Sequence, residues 1–520
     1  MDGARSDEER RILETAARAL PGGVLGSARL PDDLAFIVKR GRGSKLYDVS
    51  GREYIDYLMG SGPMILGHAH PAVVAAVRAQ LEHGTTYFLV NEPVVALADE
   101  LCRAVPCAEQ VRFTSTGTEA TFFALRAARA YRKREKVMKF EGGYHGSHDY
   151  ALMSASPKSP KAFPAATADS AGIPHVLEGE VLIAPYNDLA TVEALVAVYA
   201  DALAAVIVEP FQRLIPPEPG FLEGLRTLTR RHGIPLIFDE VVTGFRFAYG
   251  GAQEYYGVVP DLAAYGKIIG GGFPLAAVCG RREIMRAFDP QLEGTPDFVA
   301  QVGTLNGNPV AAVAGLATLA ELRKPGAYAR LHRTGRTLRD GLADIVRKSS
   351  LAAQVIGETT VFDVVFTDRP ITDYRATLTA DGARLRAFNV ECLRRGVRGV
   401  RTGHRDRRVV AIASPPDPRH GPGGDARSSA GHGRAGVACA SPSAVVARIG
   451  AAAAGASFRI STCTRRLICW HSLLGSSQRA PYCPMVTTLT EASGTPSSTR
   501  NCLTASARRS ARTLLYSGGP

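Results

Sequence analysis

Val111-Arg-Phe-Thr-Ser-Thr-Gly-Thr-Glu-Ala120 contains a strand, a turn and a helix start within ten residues. Val111–Thr114 is a short run of strand character. Thr116 and Glu119 stand three positions apart, the spacing of a capping box in which side chains satisfy the first orphan N–H groups of a helix. A helix is therefore expected over Thr118–Arg132. The same alternation repeats downstream. Lys136–Phe140, Val181–Ala184, Ala204–Val208, Pro235–Phe238 and Leu275–Val278 read as short strands, and Leu189–Tyr199 and Phe221–His232 as helices. Most of these strands lack polar alternation, which indicates burial on both faces. That is the signature of a mostly parallel sheet covered by helices, an α/β fold. Ligands of such sheets bind beyond the carboxyl ends of the strands.

The flanks differ. Upstream, Glu8–Leu20 reads as a helix, and Phe36–Lys39, Lys45–Asp48 and Glu53–Tyr57 as short strands of a small antiparallel piece. Gly62–Pro71 is a loop, and helices are expected at Pro71–Glu82 and Pro93–Val105. Downstream, helices at Pro309–Leu322 and Tyr328–Lys348 lead to a second α+β unit, with strands at Val355–Glu358 and Val361–Phe366 and a helix at Ala383–Arg394.

Charge separates the body from its tail. The chain carries a net +13, and residues 401–520 hold sixteen Arg, no Lys and only four acids, so twelve of those charges sit there. Residues 1–400, with 46 bases and 45 acids, are nearly neutral. The tail is rich in Arg, Ser, Ala, Pro and Gly with no sustained period, so no packed core is expected from it. It reads as disordered or out of frame. A nucleic-acid-binding role for its arginines is the weaker alternative, because no base-reading fold or stacking aromatics accompany them. Cys102, Cys107, Cys279 and Cys392 precede the tail; Cys102 and Cys107 sit five apart, but no second pair completes a zinc site. Free thiols and no metal are expected. Met1–Arg10 is polar and acidic, unlike a signal peptide. The most apolar run, Ala194–Val208, is broken by Asp201, so no membrane span is expected and the default location is cytoplasmic.

Five stretches bear on chemistry. In Tyr265-Gly-Lys-Ile-Ile-Gly-Gly-Gly-Phe-Pro274, Lys267 sits among apolar residues and glycines. Dehydration there disfavours the ammonium form and leaves a nucleophilic amine suited to a Schiff base. Thr116, Gly117 and Thr118, at a helix N-terminus, suit a phosphate ester. Tyr144, in Phe140-Glu-Gly-Gly-Tyr-His-Gly146, follows a strand and can stack on a flat ring. Asp239 follows the strand ending at Phe238, where a carboxylate can keep a pyridine nitrogen protonated and make the ring an electron sink. Gly303-Thr-Leu-Asn-Gly-Asn-Pro309 is a turn or a second anion site. Pyridoxal 5'-phosphate uses a lysine, a phosphate cup, a stacking aromatic and a ring-nitrogen acid together.

From about Pro21 to Val397 the chain resembles the class III (fold-type I) pyridoxal-phosphate aminotransferases, and among them the glutamate-1-semialdehyde 2,1-aminomutase branch. The likeness is carried by Gly62–Pro71, Thr116–Ala120, Lys139–Gly146, Gly220–Leu225, Phe238–Val241, Gly266–Pro274 and Gly303–Leu305. The resemblance implies a mostly parallel sheet in a large domain and a small α+β domain built from N- and C-terminal segments. It implies that Lys267 forms the Schiff base and moves the proton, that Asp239 pairs with the ring nitrogen, and that Val241 packs under the ring. Thr116, Gly117 and Thr118 would hold the phosphate and Tyr144 would stack. Thr304 would reach the phosphate of a neighbouring subunit in a homodimer, and Arg29 looks like the arginine that grips a substrate carboxylate. The implied partner is a small amino acid, keto or semialdehyde substrate.

The chain also departs from that branch. Gly60-Ser61, Thr86–Asn91 and Phe211–Pro216 replace segments that shape the substrate pocket, and Arg213 stands where the branch has small residues. The expected organisation is an N-terminal segment of the small domain over 1–65, a large cofactor-binding domain over 66–320, a C-terminal small-domain part over 321–400 and the tail over 401–520. A last strand and helix are expected to be lost after Gly396, where the composition changes. That loss makes a catalytically impaired remnant of the same fold the alternative to an active amino-group-transferring enzyme.

Overall fold

The computed structural model describes residues 5–26 and 29–399. The chain opens with α1 (Asp7–Ala19), β1 (Val38–Arg42), β2 (Lys45–Asp48) and β3 (Glu53–Asp56), followed by α2 (Pro71–Leu81) and α3 (Glu92–Ala104). The alternating body runs β4 (Gln110–Thr114), α4 (Gly117–Arg132), β5 (Lys136–Phe140), β6 (Val181–Ala184), α5 (Leu189–Tyr199), β7 (Leu203–Val208), α6 (Phe221–Arg231), β8 (Leu236–Asp239), α7 (Gly251–Tyr256), β9 (Leu262–Tyr265) and β10 (Ala276–Gly280). It ends with α8 (Arg282–Met285), α9 (Pro309–Leu322), α10 (Ala327–Lys348), β11 (Gln354–Glu358), β12 (Val361–Val365), α11 (Tyr374–Thr377), α12 (Gly382–Arg394) and β13 (Val397–Arg398).

The central sheet has the order β4-β10-β9-β8-β7-β5-β6. Every pairing from β6 to β9 is parallel, and only β10 runs antiparallel to its neighbours β4 and β9. Strands β6 to β10 are buried along their whole length. In β8, Leu236 and Phe238 enter one apolar core and Ile237 the core on the opposite face. Burying each such side chain contributes about 1.5–3 kcal/mol. Because β10 is reversed, its first residue, Ala276, pairs with the last residue of β4, Thr114. The ends of β4, β5, β7, β8 and β9 and the start of β10 therefore share one edge.

Two expectations are corrected. The first strand begins at Val38 rather than Phe36. After Gly396 a strand is present: β13 pairs in parallel with β3, Ile55 N–H donates to Gly396 O at 2.8 Å, and Tyr57 N–H donates to Arg398 O at 2.8 Å. Val397 enters a core with Ile55, Leu338, Phe362 and Phe388, so segments from both ends of the described chain share one sheet and one core. The order of its sheet is β1-β2-β3-β13, with β11 and β12 forming a separate hairpin. The Arg-rich stretch 401–520, with the readings made of it, lies outside the described residues.

Helix α9 braces the turn after β9. A Cβ on Gly315 would lie 2.0 Å from Ile269 O, and one on Gly271 would lie 2.4 Å from Ala314 O. Only glycines allow the two backbones to approach so closely. Gly315→Ala should lower unfolding free energy by about 1–3 kcal/mol, the usual cost of overpacking. The check is urea unfolding, with a lower midpoint at constant slope. A variant as stable as the parent would show that the turn can retreat from α9.

Candidate active site

At the shared strand edge lies a cavity of about 410 Å³, lined among others by Thr116, Gly117, Thr118, Tyr144, Asp239, Val241 and Lys267. Its volume falls within the roughly 300–1,000 Å³ typical of small-molecule sites. One wall is the N-terminus of α4. Thr116 is its N-cap: the hydroxyl accepts from Glu119 N–H at 3.2 Å, while the Glu119 carboxylate accepts from Thr116 N–H at 2.9 Å and Ser115 N–H at 2.8 Å. Gly117 and Thr118 open the helix, where main-chain N–H groups have no acceptor within the helix and the dipole favours an anion.

Asp239 ends β8 and is almost fully buried. Its Oδ2 lies 2.9 Å from His145 Nδ1, and its Oδ1 accepts from Val241 N–H at 3.1 Å. A buried carboxylate needs such partners, and here they fix its orientation. Val241 is gripped from two sides, since a Cβ on Gly117 would come 2.9 Å from one of its methyls and a Cβ on Gly266 would come 3.3 Å from the same one.

The loop bearing Tyr144 and His145 is tied down from below. Lys139, buried in β5, donates to Gly143 O, Ala151 O and Met153 O at 2.9, 2.8 and 2.6 Å. Tyr144 N–H donates to Glu209 Oε2 at 3.1 Å. Arg375, in α11, makes a two-pronged pair with Glu141, at 2.7 and 3.1 Å. The Tyr374 ring occupies the space a Cβ on Gly142 would need.

Lys267 follows β9 and has a φ of +51°. That region costs a non-glycine residue about 1–2 kcal/mol, and such outliers cluster at functional sites. Its stem passes Gly62, where a Cβ would come 3.0 Å from Lys267 Cδ. Beside it, the fully buried Arg246 donates to Gly62 O, and burial pulls its guanidinium down to about 10.

Of the nine residues marked in the sequence, seven line this cavity. Thr304 and Arg29 do not. Thr304 is exposed in the turn before α9, and Arg29 is exposed and pairs with Asp32 at 2.9 Å. Reading the sequence missed His145, Lys139, Glu209 and the strand β9. A lysine near the end of an apolar strand was the available signal for Lys139, because a buried ammonium must find acceptors. The His145 contact to Asp239 spans 94 positions, and no local pattern reports it.

Residues 27–410 match the family model described as aminotransferase class-III. The glutamate-1-semialdehyde 2,1-aminomutase 2 of Brevibacillus brevis is 43% identical over 398 residues, covering 75% of this chain and 91% of that protein. Among solved structures, an omega-transaminase from Sphaerobacter thermophilus is 36% identical with a TM-score of 0.77, covering 86% of this chain and 98% of its own. A transaminase with PLP bound is 28% identical with a TM-score of 0.74, covering 87% and 99%.

His148 neighbours this machinery, with Nδ1 accepting from Ala151 N–H at 3.2 Å and Nε2 3.3 Å from the Thr121 hydroxyl. Burial, then the charges of His145, Lys139 and Arg129, lower its imidazole to about 3. An unfolded imidazole takes its proton near pH 6.5. Between those values the unfolded chain binds the proton and the folded one does not, so stability falls as pH drops below about 6.5. His148→Gln should remove on the order of 1–2 kcal/mol of the loss between pH 7.5 and 5. Urea melts of both proteins at the two pH values check this, and parallel losses would refute it.

Proposed function

The chain belongs to the class-III aminotransferases, and from that premise we propose that it moves an amino group to or from a carboxylate-bearing amino acid or semialdehyde. It is a pyridoxal-phosphate-dependent enzyme, and the residues of the cavity suit that cofactor. The supporting observation is the meeting of Lys267, Asp239 and the α4 N-terminus around one cavity of about 410 Å³. These are an amine, a carboxylate fixed by His145, and a helix end matched to a phosphate. When bound, pyridoxal phosphate supplies an aldehyde that takes up amines and a ring that accepts an electron pair.

The roles of the chain's own groups follow. Gly117 and Thr118 would offer backbone N–H groups, and Thr118 its hydroxyl, to the phosphate. Tyr144 and Val241 would bracket the ring on its two faces. Asp239 would hold a proton on the ring nitrogen, with His145 and the Val241 N–H keeping the carboxylate aimed. Lys267 would carry the cofactor between turnovers and, once released, remove and return the proton at the amine-bearing carbon. The Brevibacillus relative is named a mutase and the Sphaerobacter structure a transaminase. The two differ in whether the amino group returns to the same carbon skeleton.

We also propose a homodimer. Phe88, Leu89 and Val90 are 64, 78 and 83% exposed, and Val302 and Leu305 are 80 and 51% exposed. Asn91 Nδ2 donates to Gly307 O at 3.1 Å and joins the two segments. A joined apolar surface of this kind marks an interface. Thr304 stands within it, consistent with a reach toward a neighbouring subunit's phosphate.

After reconstitution with pyridoxal phosphate, the protein should show a visible absorption band that borohydride fixes covalently. Lys267→Ala should lose that fixation and lower turnover on the order of 10²–10⁴-fold. A screen of amine donors should then find carboxylate-bearing ones preferred, and a band insensitive to Lys267→Ala would reject the assignment. Leu89→Asp combined with Val90→Asp should convert a dimer to a monomer in sedimentation experiments. An unchanged sedimentation coefficient would place the interface elsewhere.

A further inference from the structure

We propose that Arg213 sets the charge of one cavity wall and thereby the preference for amine donors that carry a carboxylate. This rests on the substrate class proposed above. Glu209 lines the cavity and is almost fully buried. An uncompensated carboxylate there would repel a substrate carboxylate, and in a water-poor site such repulsion is much stronger than in bulk solvent. Arg213 is the answering cation. Its Nε lies 3.9 Å from Glu209 Oε2, and its side chain is only 14% exposed.

The guanidinium is held in that place. Nε donates to Gly142 O at 2.8 Å and Nη2 donates to Ala155 O at 3.0 Å. Its central carbon sits 5.3 Å from the centroid of the Tyr144 ring. The same Glu209 oxygen accepts the Tyr144 N–H. Acid, base and ring thus form one unit on the wall. The backbone supports a selected role, because Arg213 has a φ of +63°, where a glycine would sit without strain and an arginine does not. A strained arginine whose head group reaches a cavity-lining acid contributes more than loop closure, which a small residue would accomplish at lower cost.

The test compares 3-amino-3-phenylpropionate with 1-phenylethylamine, which share the amine-bearing benzylic carbon and differ in the carboxylate. Arg213→Gln keeps hydrogen-bond donors and removes the charge, whereas Arg213→Lys keeps the charge. The ratio of kcat/KM for the two donors should fall at least tenfold in Arg213→Gln, chiefly through KM of the carboxylate donor. It should stay within threefold of the parent in Arg213→Lys, and adding Glu209→Gln to Arg213→Gln should restore it. Glu209→Gln alone, which leaves the arginine in place, should raise the ratio and serves if Arg213→Gln does not fold. An unchanged ratio in Arg213→Gln, equal losses in both arginine variants, or no rise in Glu209→Gln would each overturn the proposal. A parent protein without preference for the carboxylate donor would overturn the substrate-class reading itself, and this inference with it.

Discussion

A carboxylate at the end of a dry strand is the constraint around which the large sheet's loops are arranged. Asp239 ends a strand that is buried on both sides, and a carboxylate so little exposed needs fixed protein partners. His145 and the Val241 N–H are those partners. His145 can serve only if its loop is fixed, which makes Lys139, with its three carbonyl partners, part of the same structure. Removing Lys139 would free the loop, misplace His145 and leave Asp239 half-partnered. A chain of buried polar contacts of this kind is strong only when every member is satisfied.

The second half of the site is held by backbone proximity. The Lys267 turn keeps its left-handed conformation because α9 presses on it at Gly315 and Gly271, and because Gly62 leaves room for the lysine stem. Asp239 and the Lys267 turn are then coupled through the sheet, since Asp239 pairs with Ala264, three residues before the lysine. Amine and acid are placed by adjacent strands rather than by flexible loops, which suits groups that would meet one flat ring.

How much of this could be read in advance follows from the range of each signal. The capping box at Thr116, the glycines around Lys267 and the acid after Phe238 are local patterns, and the structure places all three at one edge. Leu262–Tyr265 escaped notice because four residues between Pro260-Asp261 and Gly266 show no period. Val397–Arg398 is a strand only because β3 lies beside it. The His145–Asp239 and Arg375–Glu141 pairs join positions 94 and 234 apart. The positive φ of Lys267 and of Arg213 is a tertiary result, because neither residue type favours it.

The segments that carry Lys267, Asp239 and Thr116 and the one that carries Arg213 differ in how they are anchored. Lys267, Asp239 and Thr116 sit where strands end or a helix begins, so changing their surroundings would disturb the sheet itself. Arg213 lies in the β7–α6 connection and reaches the wall through two hydrogen bonds to backbone carbonyls and a loose ion pair. Those contacts ask little of the sheet. An arginine at that point would therefore change the charge of the wall at the cost of one strained φ, while leaving in place the strand ends and helix start that would hold the cofactor.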